Sequence, residues 1–486
     1  MSFYKDYYLP MSEKNMPDIE NVIVLMLENR SFDCMLGLLY STEEEFNGLT
    51  GTEYNIWHKQ DGSEESVPVW SDSTLDPASI YVPTPDPGET FNDIHMQIHG
   101  LNPNVATSPS GSKMGGFVDN YMRLGHPQQH DPHAVMHYFT PIHVPVISQL
   151  ARAFGVSDSW FASAPCQTWP NRFFVHTGTA DGFVNNTTDH IYTMETVFNR
   201  LTDKKKDWRI YFHDIPQSAT LTRLWGRPEC FRRFGDDFAK DVKKGNLPAY
   251  TFIEPRYFTD LDGKHAPNDQ HPPHNVAYGE ALIASVYNAL RAGPKWKQTL
   301  FIITYDEHGG CFDHVTPPAA TPPGGPTPRS YHFDSYGVRV PAVIVSPYVK
   351  KGSIIRSQEQ TPFDHTSILA TLRKLFGIES LTARDKAAPD ILSCMTTTPD
   401  NEGPISVSPA SWGASEAEVR RMDQELPNEL QSSLAAAACF LPPENTDLAA
   451  HIERLKSNSP PCPKHATTGD AAAAADEKMR AFLGGR

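Results

Sequence analysis

The 486-residue chain is 39% hydrophobic and 21% charged, an ordinary globular balance, and its 42 Pro and 31 Gly predict many turns and loops. Its net charge of −16 argues against a wide basic face, so nucleic acid is not an expected partner. No stretch approaches the roughly 18 apolar residues of a membrane-spanning helix, so no transmembrane segment is expected.

The first residues and the cysteines bear on the cellular compartment. The N-terminal stretch lacks a basic segment followed by an apolar one, so no secretion leader is expected in this sequence. The seven cysteines are odd in number, scattered and without CxxC spacing, which predicts mostly free thiols. Both observations favour the cytoplasm, and a secreted mature form stays open.

Continuous apolar runs in the chain predict strands that are buried on both faces. These runs cover residues 21–27, 249–253, 299–305 and 340–346. Helical patterns lie between them, over residues 144–155, 274–293 and 364–377. Strands that alternate with helices predict an α/β fold, with a largely parallel central sheet flanked by helices.

Two long intervals, residues 45–143 and 180–248, are rich in Pro, Gly, Asn and His. Loops of that length usually build a site or a lid. From residue 401 the composition changes to Ala-rich, charged, helix-like segments. We therefore predict a main domain over residues 1–400 with long loop insertions, and a C-terminal helical appendage over residues 401–486.

Two of the predicted strands end in acidic and amide side chains. The first leads into Glu28 and Asn29, and the third leads into Asp306 and Glu307. Parallel strands bring such side chains together at their carboxyl edge. A Glu-Asn pair alone usually just terminates a strand, but several uncompensated carboxylates in one crevice are costly without a cation. The combination therefore predicts a site for a divalent metal ion with oxygen ligands.

The stretch "FASAPCQTWPNRFFVHTGT" places Thr168 directly before Trp169 and Pro170, and proline suits the first turn of a helix. We expect Thr168 to cap that helix with its hydroxyl exposed, at an end that favours anions. A hydroxyl beside a metal ion that lowers its pKa is a suitable nucleophile toward phosphorus. The alternative is an ordinary threonine cap without catalytic function.

The chain contains 20 histidines, and imidazoles near a metal ion can hold phosphate oxygens or protonate a leaving alkoxide. His271 and His274 flank two prolines before a predicted helix, and His213 ends the apolar run "WRIYF". Asp313 and His314 lie in "CFDHV". We predict functional roles for His271 and His213, and for His274 and His314 both a functional and a structural role stay open.

These same stretches resemble the phosphoesterase family that contains bacterial acid phosphatases, bacterial phospholipases C and plant non-specific phospholipases C. The resemblance extends from about residue 20 to about residue 390, with the motifs in family order. The matching motifs are "ENRSFD" (28–33), "TWPNR" (168–172), "DQHPPHN" (269–275), "YDEHGG" with "FDHV" (305–315), and "RVPAVIVSPYV" followed by "FDHTSIL".

The resemblance implies an alkaline-phosphatase-like α/β sandwich and a hydroxyl nucleophile that takes the phosphoryl group and then yields it to water. By position it implies Thr168 as the nucleophile, His271 as a phosphate-binding or proton-donating group, Glu28, Asn29, Asp306 and Glu307 around one divalent metal ion, and His213 as a looser match for substrate binding. Ca, Mg and Mn suit the oxygen ligands and Zn suits nearby imidazoles, so the metal stays open.

One position departs from the family pattern. Many relatives read "DPGH" where this chain reads "PDPGE", so Glu89 stands in place of an imidazole. An anion there repels a phosphate unless it is protonated, paired or turned away. The exchange leaves the orientation of the substrate and the acidic pH optimum open.

The expected function is a metal-assisted phosphoric ester hydrolase with a phosphothreonine intermediate. Either a phospholipase C on phosphatidylcholine-like lipids or an acid phosphatase on monoesters fits, and the short segment 401–486 favours a compact enzyme. Trp169, Trp160 and Phe161 either form an aromatic wall for a choline head group or pack in the core. Transient contact with a membrane surface would accompany a phospholipid substrate.

Two alternatives stay open beside that expectation. A catalytically silent phosphate- or lipid-binding relative would use the same pocket without turnover. A sulfatase on the same fold is less consistent with the sequence, because "CQTWPNR" lacks the CxPSR-type context in which a formylglycine forms.

Overall fold

The structure is a computed structural model of the whole chain. It describes residues 16–40, 45–72, 79–101, 114–124, 130–325, 331–409, 414–457 and 462–484. Within these ranges, every helix is too short or too polar to cross a membrane.

Strands and helices alternate through most of the described chain. The strands are β1 (Asn21–Leu27), β2 (Tyr54–His58), β3 (Glu64–Pro68), β4 (Gly155–Ser157), β5 (Trp160–Phe161), β6 (Trp208–Phe212), β7 (Phe231–Arg233), β8 (Tyr250–Ile253), β9 (Thr299–Tyr305), β10 (Ala342–Val345), β11 (Ser353–Ile354) and β12 (Phe363–Asp364). The helices are α1 (Phe32–Leu36), α2 (Phe91–His99), α3 (Phe117–Arg123), α4 (Pro145–Ala153), α5 (Thr168–Thr177), α6 (Val197–Asp203), α7 (Ala239–Lys244), α8 (Val276–Ala292), α9 (Thr366–Phe376), α10 (Ala383–Ala387), α11 (Glu416–Asp423), α12 (Glu429–Ala438), α13 (Leu448–Ser457) and α14 (Thr468–Leu483).

The central sheet has eight strands in the order β11-β4-β10-β9-β1-β8-β6-β7. Strand β1 lies in the middle and runs parallel to both of its neighbours, β8 and β9. Strand β10 is antiparallel to β9 and to β4, so the sheet is largely but not wholly parallel. The predicted α/β class with a largely parallel sheet flanked by helices is confirmed.

The strands predicted from apolar runs are present because their residues are buried on both faces. Every residue of β1 and β9 is buried, and the bounds of both strands match the predicted runs. The run at 249–253 is strand β8, and the run at 340–346 is the antiparallel strand β10. Continuous apolar sequence therefore identified the middle of the sheet but not the direction of one strand.

The helical patterns also form helices, namely α4, α8 and α9. The side chain of Asn275 caps α8 by accepting a hydrogen bond from the Ala277 backbone N–H. Gly377 ends α9 in the left-handed conformation, at a φ of +64°. The first pattern stops earlier than predicted, because Gly155 already begins strand β4.

The interval 180–248 is not the loop that its composition indicated. It supplies β6 and β7, which extend the central sheet beyond β8. These strands have only five and three residues and lie between turns, so their apolar content is diluted over the interval. The interval 45–143 likewise contains the β2–β3 hairpin and helices α2 and α3, which enclose a second hydrophobic cluster with Phe312.

The C-terminal segment is helical, with α11 to α14 in its described part. Most of its buried apolar residues belong to the same hydrophobic cluster as the central sheet, those of α11 form a separate small cluster with Ala266, and α14 packs beside β7. There the rings of Phe231 and Phe482 lie 5.6 Å apart, and Arg233 forms an ion pair of 2.7 Å with Asp476. The division of the chain at residues 400 and 401 stays a prediction.

All seven cysteines are free thiols. Four of them, Cys34, Cys166, Cys230 and Cys311, are buried in the interior. The cellular compartment that was inferred from the cysteines stays a prediction.

Candidate active site

The register of the two central strands brings the predicted acidic side chains together. Leu27 at the end of β1 pairs with Tyr305 at the end of β9, so Glu28 and Asp306 follow side by side. The backbone N–H of Asn29 donates to Asp306 Oδ1 at 3.0 Å. The two sequence motifs therefore meet at the carboxyl edge of the sheet, as the strand pattern predicted.

The turn after each strand has an unusual backbone. Asn29 has a φ of +49°, in the left-handed region that asparagine tolerates better than most residues. Gly309, with a φ of +61°, lies so close that a Cβ there would be 2.1 Å from the Asn29 carbonyl oxygen. The glycine is needed for this approach, which holds the "YDEHGG" loop against the end of β1.

Thr168 lies at the same edge, although it belongs to a distant part of the chain. Its hydroxyl donates to Glu28 Oε2 at 3.3 Å and to Asn29 Oδ1 at 3.2 Å. The residue is buried rather than exposed as predicted. It is also the first helical residue of α5 and not the cap, because the extended residue before it, Gln167, is the N-cap. The hydroxyl nonetheless faces the polar edge and not the apolar interior.

Arg172 was quoted within the "TWPNR" motif but was given no role, and it is central to the site. It lies one helical turn after Thr168, so both side chains project from the same face of α5. Its buried guanidinium pairs with Glu28, lies 3.4 Å from Asp306 Oδ2 and 3.7 Å from Glu254 Oε2. Burial disfavours the charged form, but these carboxylates outweigh it and raise the pKa of Arg172.

Glu254 is a second residue that sequence reasoning missed. It follows β8, the other neighbour of β1, and therefore lies at the same edge. Its carboxylate accepts from the backbone N–H groups of Gln217 and Ser218 and from the hydroxyl of Tyr257, at 2.8 to 3.0 Å. The sequence contained a sign of it, since "AYTFIEP" ends an apolar run on an acid as "NVIVLMLEN" does.

The predicted metal ligands include oxygens that lack hydrogen-bond donors and could therefore bind a divalent cation. Asp306 Oδ2 and Glu307 Oε1 are buried and lack hydrogen-bond partners, as does Nδ2 of Asn29. Burial raises the pKa of Glu28 and of Glu307 well above the ordinary range, since no solvent stabilises their charge. Carboxylate and amide oxygens are what hard divalent cations bind, so these residues fit one.

The acidic side chains at this edge are not, however, drawn into one compact ligand set. In the part of the chain that the structure describes, the sets of His, Cys, Asp and Glu with all ligand atoms within 4.8 Å are Asp33 with Asp313 and His314, Asp86 with Glu89 and His271, and Asp260 with Asp262 and His265. Glu28, Asp306 and Glu307 do not form such a set, and the guanidinium of Arg172 pairs with the first two.

His271 is buried close to the unusual Glu89. Its Nδ1 lies 2.6 Å from the carbonyl oxygen of Pro272, and its Nε2 lies 3.4 Å from Glu89 Oε1. Burial by itself lowers the pKa of His271, but the carboxylates of Glu89 and Asp86 outweigh it and hold that pKa well above its ordinary range. The anion at position 89 is therefore paired with an imidazole and is not turned away.

His213 is placed differently from its predicted role in substrate binding. Its Nδ1 lies 3.1 Å from the Glu254 carbonyl oxygen, and its ring stacks on Phe234 at 4.6 Å. Burial lowers its pKa to about 3, so the ring is neutral. These contacts tie it to the backbone beside Glu254 and not to Thr168.

The two histidines whose roles were left open each contact an aspartate. His274 Nδ1 lies 2.7 Å from Asp269 Oδ1, which also accepts the backbone N–H of His271 at 3.1 Å. His274 therefore helps to order the loop that carries His271. His314 Nδ1 lies 2.6 Å from Asp33 Oδ2, in a separate buried cluster.

The aromatic residues near Thr168 pack in the core. Trp160 is 1% exposed and stacks on Phe363 at 5.7 Å between ring centroids. Phe161 is buried, and Trp169 packs beside Tyr192. Of the two alternatives for these rings, core packing is the observed one. Each ring is buried in the protein, so none forms a wall that a choline head group could contact.

A residue of the C-terminal segment contacts the start of α5. Glu429 Oε2, at the first position of α12, accepts from Gln167 Nε2 at 3.0 Å and from Asn186 Nδ2 at 2.9 Å. Asn186 Oδ1 in turn accepts the backbone N–H of Trp169 at 2.9 Å. The N-terminal turn that carries Thr168 is therefore held partly from α12.

Comparisons with known proteins agree with these motifs. A model of the Phosphoesterase family matches residues 19–379. Non-specific phospholipase C6 of Arabidopsis thaliana is 38% identical over 410 residues, covering 80% of this chain and 75% of that protein. Non-specific phospholipase C1 of the same plant is 37% identical over 422 residues, covering 82% and 76%.

Among solved structures, one similar chain is a protein in the alkaline phosphatase superfamily from Vibrio parahaemolyticus. It is 12% identical, with a TM-score of 0.31, over 51% of this chain and 64% of that one.

Proposed function

Because the chain belongs to the phosphoesterase family, we propose that it is a phosphoric ester hydrolase of the phospholipase C type, with the Thr168 hydroxyl as its nucleophile. The observation that carries this proposal is the position of that hydroxyl, within 3.3 Å of both Glu28 and Asn29. Two stretches that are remote in sequence meet there, and Asp306 of a third is bonded to the backbone of Asn29; each of the three contains a motif of the family.

The ligands proposed for one divalent metal ion are Glu28, Asn29, Asp306 and Glu307. When bound, such an ion would favour the deprotonated hydroxyl and shield a phosphate from the surrounding carboxylates. Its identity stays open between Ca, Mg, Mn and Zn.

The first half of the reaction forms a bond between Thr168 Oγ1 and phosphorus and breaks the bond from phosphorus to the glycerol oxygen. Glu28 Oε2 accepts the hydrogen of the hydroxyl. The N-terminus of α5 favours negative charge on the phosphoryl oxygens. The raised pKa of His271 suits it to bind a phosphate oxygen or to protonate the departing alkoxide.

In the second half, water attacks phosphorus and the bond from phosphorus to Thr168 Oγ1 breaks. The phosphorylated head group leaves, and the hydroxyl of Thr168 is restored with a proton from the water. Arg172 takes no part in bond making, but its guanidinium fixes the carboxylates of Glu28 and Asp306 in both halves. Catalysis of this kind depends mainly on position and on electrostatic stabilisation of the phosphoryl oxygens.

The test is hydrolysis by wild type and by Thr168→Ala of phosphatidylcholine, p-nitrophenylphosphorylcholine, p-nitrophenyl phosphate and p-nitrophenyl sulfate. We expect wild type to cleave the two choline diesters fastest and Thr168→Ala to lose at least about 10³-fold in kcat. Thr177→Ala, in the last turn of the same helix, is the matched control and should keep its activity. Its hydroxyl bonds backbone groups only: it donates to two carbonyls and accepts the backbone N–H of Thr179.

The panel also separates the alternatives. A faster rate on p-nitrophenyl phosphate than on the diesters would favour an acid phosphatase, and cleavage of the sulfate would favour a sulfatase. A wild type without activity on any ester, despite bound metal, would favour a silent binding relative. Substantial activity of Thr168→Ala would refute the nucleophile assignment.

A further inference from the structure

A compact set of ligand-type side chains lies outside the predicted metal ligands. Asp86, Glu89 and His271 each offer one ligand atom, and these atoms all lie within 4.8 Å of one another. His271 is 1% exposed and Glu89 is 8% exposed, so both are well over nine-tenths buried. The predicted ligands at the strand ends do not converge in this way.

Hydrogen bonding leaves this set unsatisfied. A backbone carbonyl can only accept, so the 2.6 Å contact with Pro272 assigns a hydrogen to Nδ1 of His271. The other ring nitrogen, Nε2, lies 3.4 Å from Glu89 Oε1, which is longer than an ordinary N–H···O hydrogen bond. His271 Nε2, Glu89 Oε1 and Asp86 Oδ1 are all buried without a hydrogen-bond partner. A positive charge between these groups would satisfy them.

The other two compact sets are already satisfied. Asp33, Asp313 and His314 surround the guanidinium of Arg339, which supplies the positive charge. Asp260, Asp262 and His265 are partly or fully exposed, and Lys264 pairs with Asp262 at 2.6 Å. Of the three sets found in the described ranges, only the one at Glu89 combines two buried members with a lack of donors.

Charge balance gives the set a reason to bind a cation. Asp86 and Glu89 add two carboxylates beside an edge that already contains Glu28, Asp306 and Glu307. Against these stand the guanidinium of Arg172, the imidazole of His271 and a single proposed metal ion. A phosphate ester is itself an anion, so an unneutralised Glu89 would repel it.

We propose that Asp86, Glu89 and His271 form a second divalent cation site beside the strand-end ligands. Two carboxylates with one imidazole suit Zn²⁺ or Mn²⁺ better than Ca²⁺, which takes oxygen ligands almost alone. The ion competes with a proton for Nε2, so its binding releases a proton from His271. The charge that faces a phosphate oxygen is then that of the ion. This role rests on the proposed function, whereas the site itself does not.

The test is a count of bound metal in the full-length protein. After metal stripping, wild type is equilibrated with Zn²⁺ or Mn²⁺, dialysed and measured by inductively coupled plasma mass spectrometry. We expect two equivalents in wild type, and one in Glu89→Gln and in Asp86→Asn. Asp262→Asn, in the exposed set, is the matched control and should still bind two.

Each result decides the matter. A metal count that is the same in wild type, Glu89→Gln and Asp86→Asn would overturn the site and leave His271 and Glu89 as a simple ion pair. Circular dichroism confirms that each variant is folded, and the two variants remove different ligands, so failure of one to fold does not prevent the test. Metal counting needs no turnover, so two bound ions without any ester hydrolysis would refute the proposed function and support this site.

Discussion

Two buried acidic clusters lie close together in the molecule and differ in how fully their carboxylate oxygens are hydrogen-bonded. The strand-end cluster contains Glu28, Asn29, Asp306 and Glu307. The Arg339 cluster contains Asp33, Asp313 and His314 around the guanidinium of Arg339. The acids of both come from the same two segments, those that follow β1 and β9, and Asp33 lies in the short helix α1. Sequence motifs alone assign them to the same family pattern, "ENRSFD" with "YDEHGG" and "FDHV".

In the Arg339 cluster every carboxylate oxygen has a donor. Arg339 donates to Asp313 Oδ1 at 3.0 Å and to Asp33 Oδ1 at 2.9 Å. Backbone N–H groups of His314 and of Asp33 itself supply the remaining oxygens, at 2.8 and 3.2 Å. The strand-end cluster instead leaves Asp306 Oδ2 and Glu307 Oε1 without donors. Hydrogen-bond saturation, and not the number of acids, therefore distinguishes the two clusters.

The sharpest way to separate the clusters is to remove bound metal. We expect chelation to lower ester hydrolysis by at least about 10⁴-fold, which corresponds to about 5 to 6 kcal/mol. The fold should persist, because the Arg339 cluster carries its own cation. Activity and the circular dichroism spectrum are measured on the same chelated sample, and activity should return with added metal. Full activity in protein shown to be free of metal would contradict the proposal that the strand-end cluster works with a metal ion.

Replacing Arg339 should instead lower the stability of the fold. Arg339→Met leaves Asp33 and Asp313 buried without their cation, and breaking a buried pair in this way typically costs about 3 to 5 kcal/mol. The free energy of unfolding is measured with urea. Arg420→Met is the matched control, because Arg420 pairs with Glu416 at an exposed helix face and should matter by less than about 0.5 kcal/mol. Equal losses in both variants would show that the cluster is not stabilising.

His314 tests whether the family motif "FDHV" is structural. His314→Gln removes the 2.6 Å contact with Asp33, and we expect a loss of about 1 kcal/mol in stability with kcat/KM unchanged. Thermal unfolding and steady-state kinetics on one preparation measure both quantities. A large fall in kcat/KM without loss of stability would place His314 in the active site after all.

Glu280 is another buried acid and lies outside both clusters. Its carboxylate has hydrogen-bond donors, as in the Arg339 cluster, but no cation pairs with it in the described ranges. Its carboxylate accepts only the backbone N–H groups of Val146 and Ile147 at the start of α4. Burial raises its pKa to about 8, although those N–H groups oppose the rise. The folded protein therefore retains a proton that the unfolded chain loses, and stability falls as pH rises from about 4.5 to about 8.

Glu280→Gln should remove that pH dependence. We expect the variant to match wild type near pH 5 and to exceed it by about 1 to 2 kcal/mol near pH 9, where wild type must bury a charge. Urea midpoints at several pH values measure the difference. Parallel curves for the two proteins would show that Glu280 is not the group responsible.

The sequence predicted the parts of the site that depend on local pattern. An apolar run followed by an acid identifies a strand end, so Glu28 and Asp306 were placed correctly with respect to β1 and β9. Turn glycines and helix caps follow rules of the same local kind, and Asn275 and Gly377 act as they predict.

The rest depends on contacts between residues that are far apart in sequence. Nothing near Arg172 shows that it will pair with Glu28 and Asp306, and nothing near Glu89 shows that it will face His271. The short strands β6 and β7 are stabilised by neighbours in the sheet and not by their own composition. Such features follow from the assembled fold, so single-sequence patterns do not contain them.

The hydrogen bonds of Glu429 have a consequence for how variants of this enzyme should be built. The family pattern ends at residue 379, yet the side chain at 429 holds the amides that order the start of α5. A shortened enzyme trimmed to the family core would keep every pocket residue and still lose this support. Chimaeras that exchange C-terminal helices between relatives therefore offer a route to adjust turnover while leaving the pocket sequence intact.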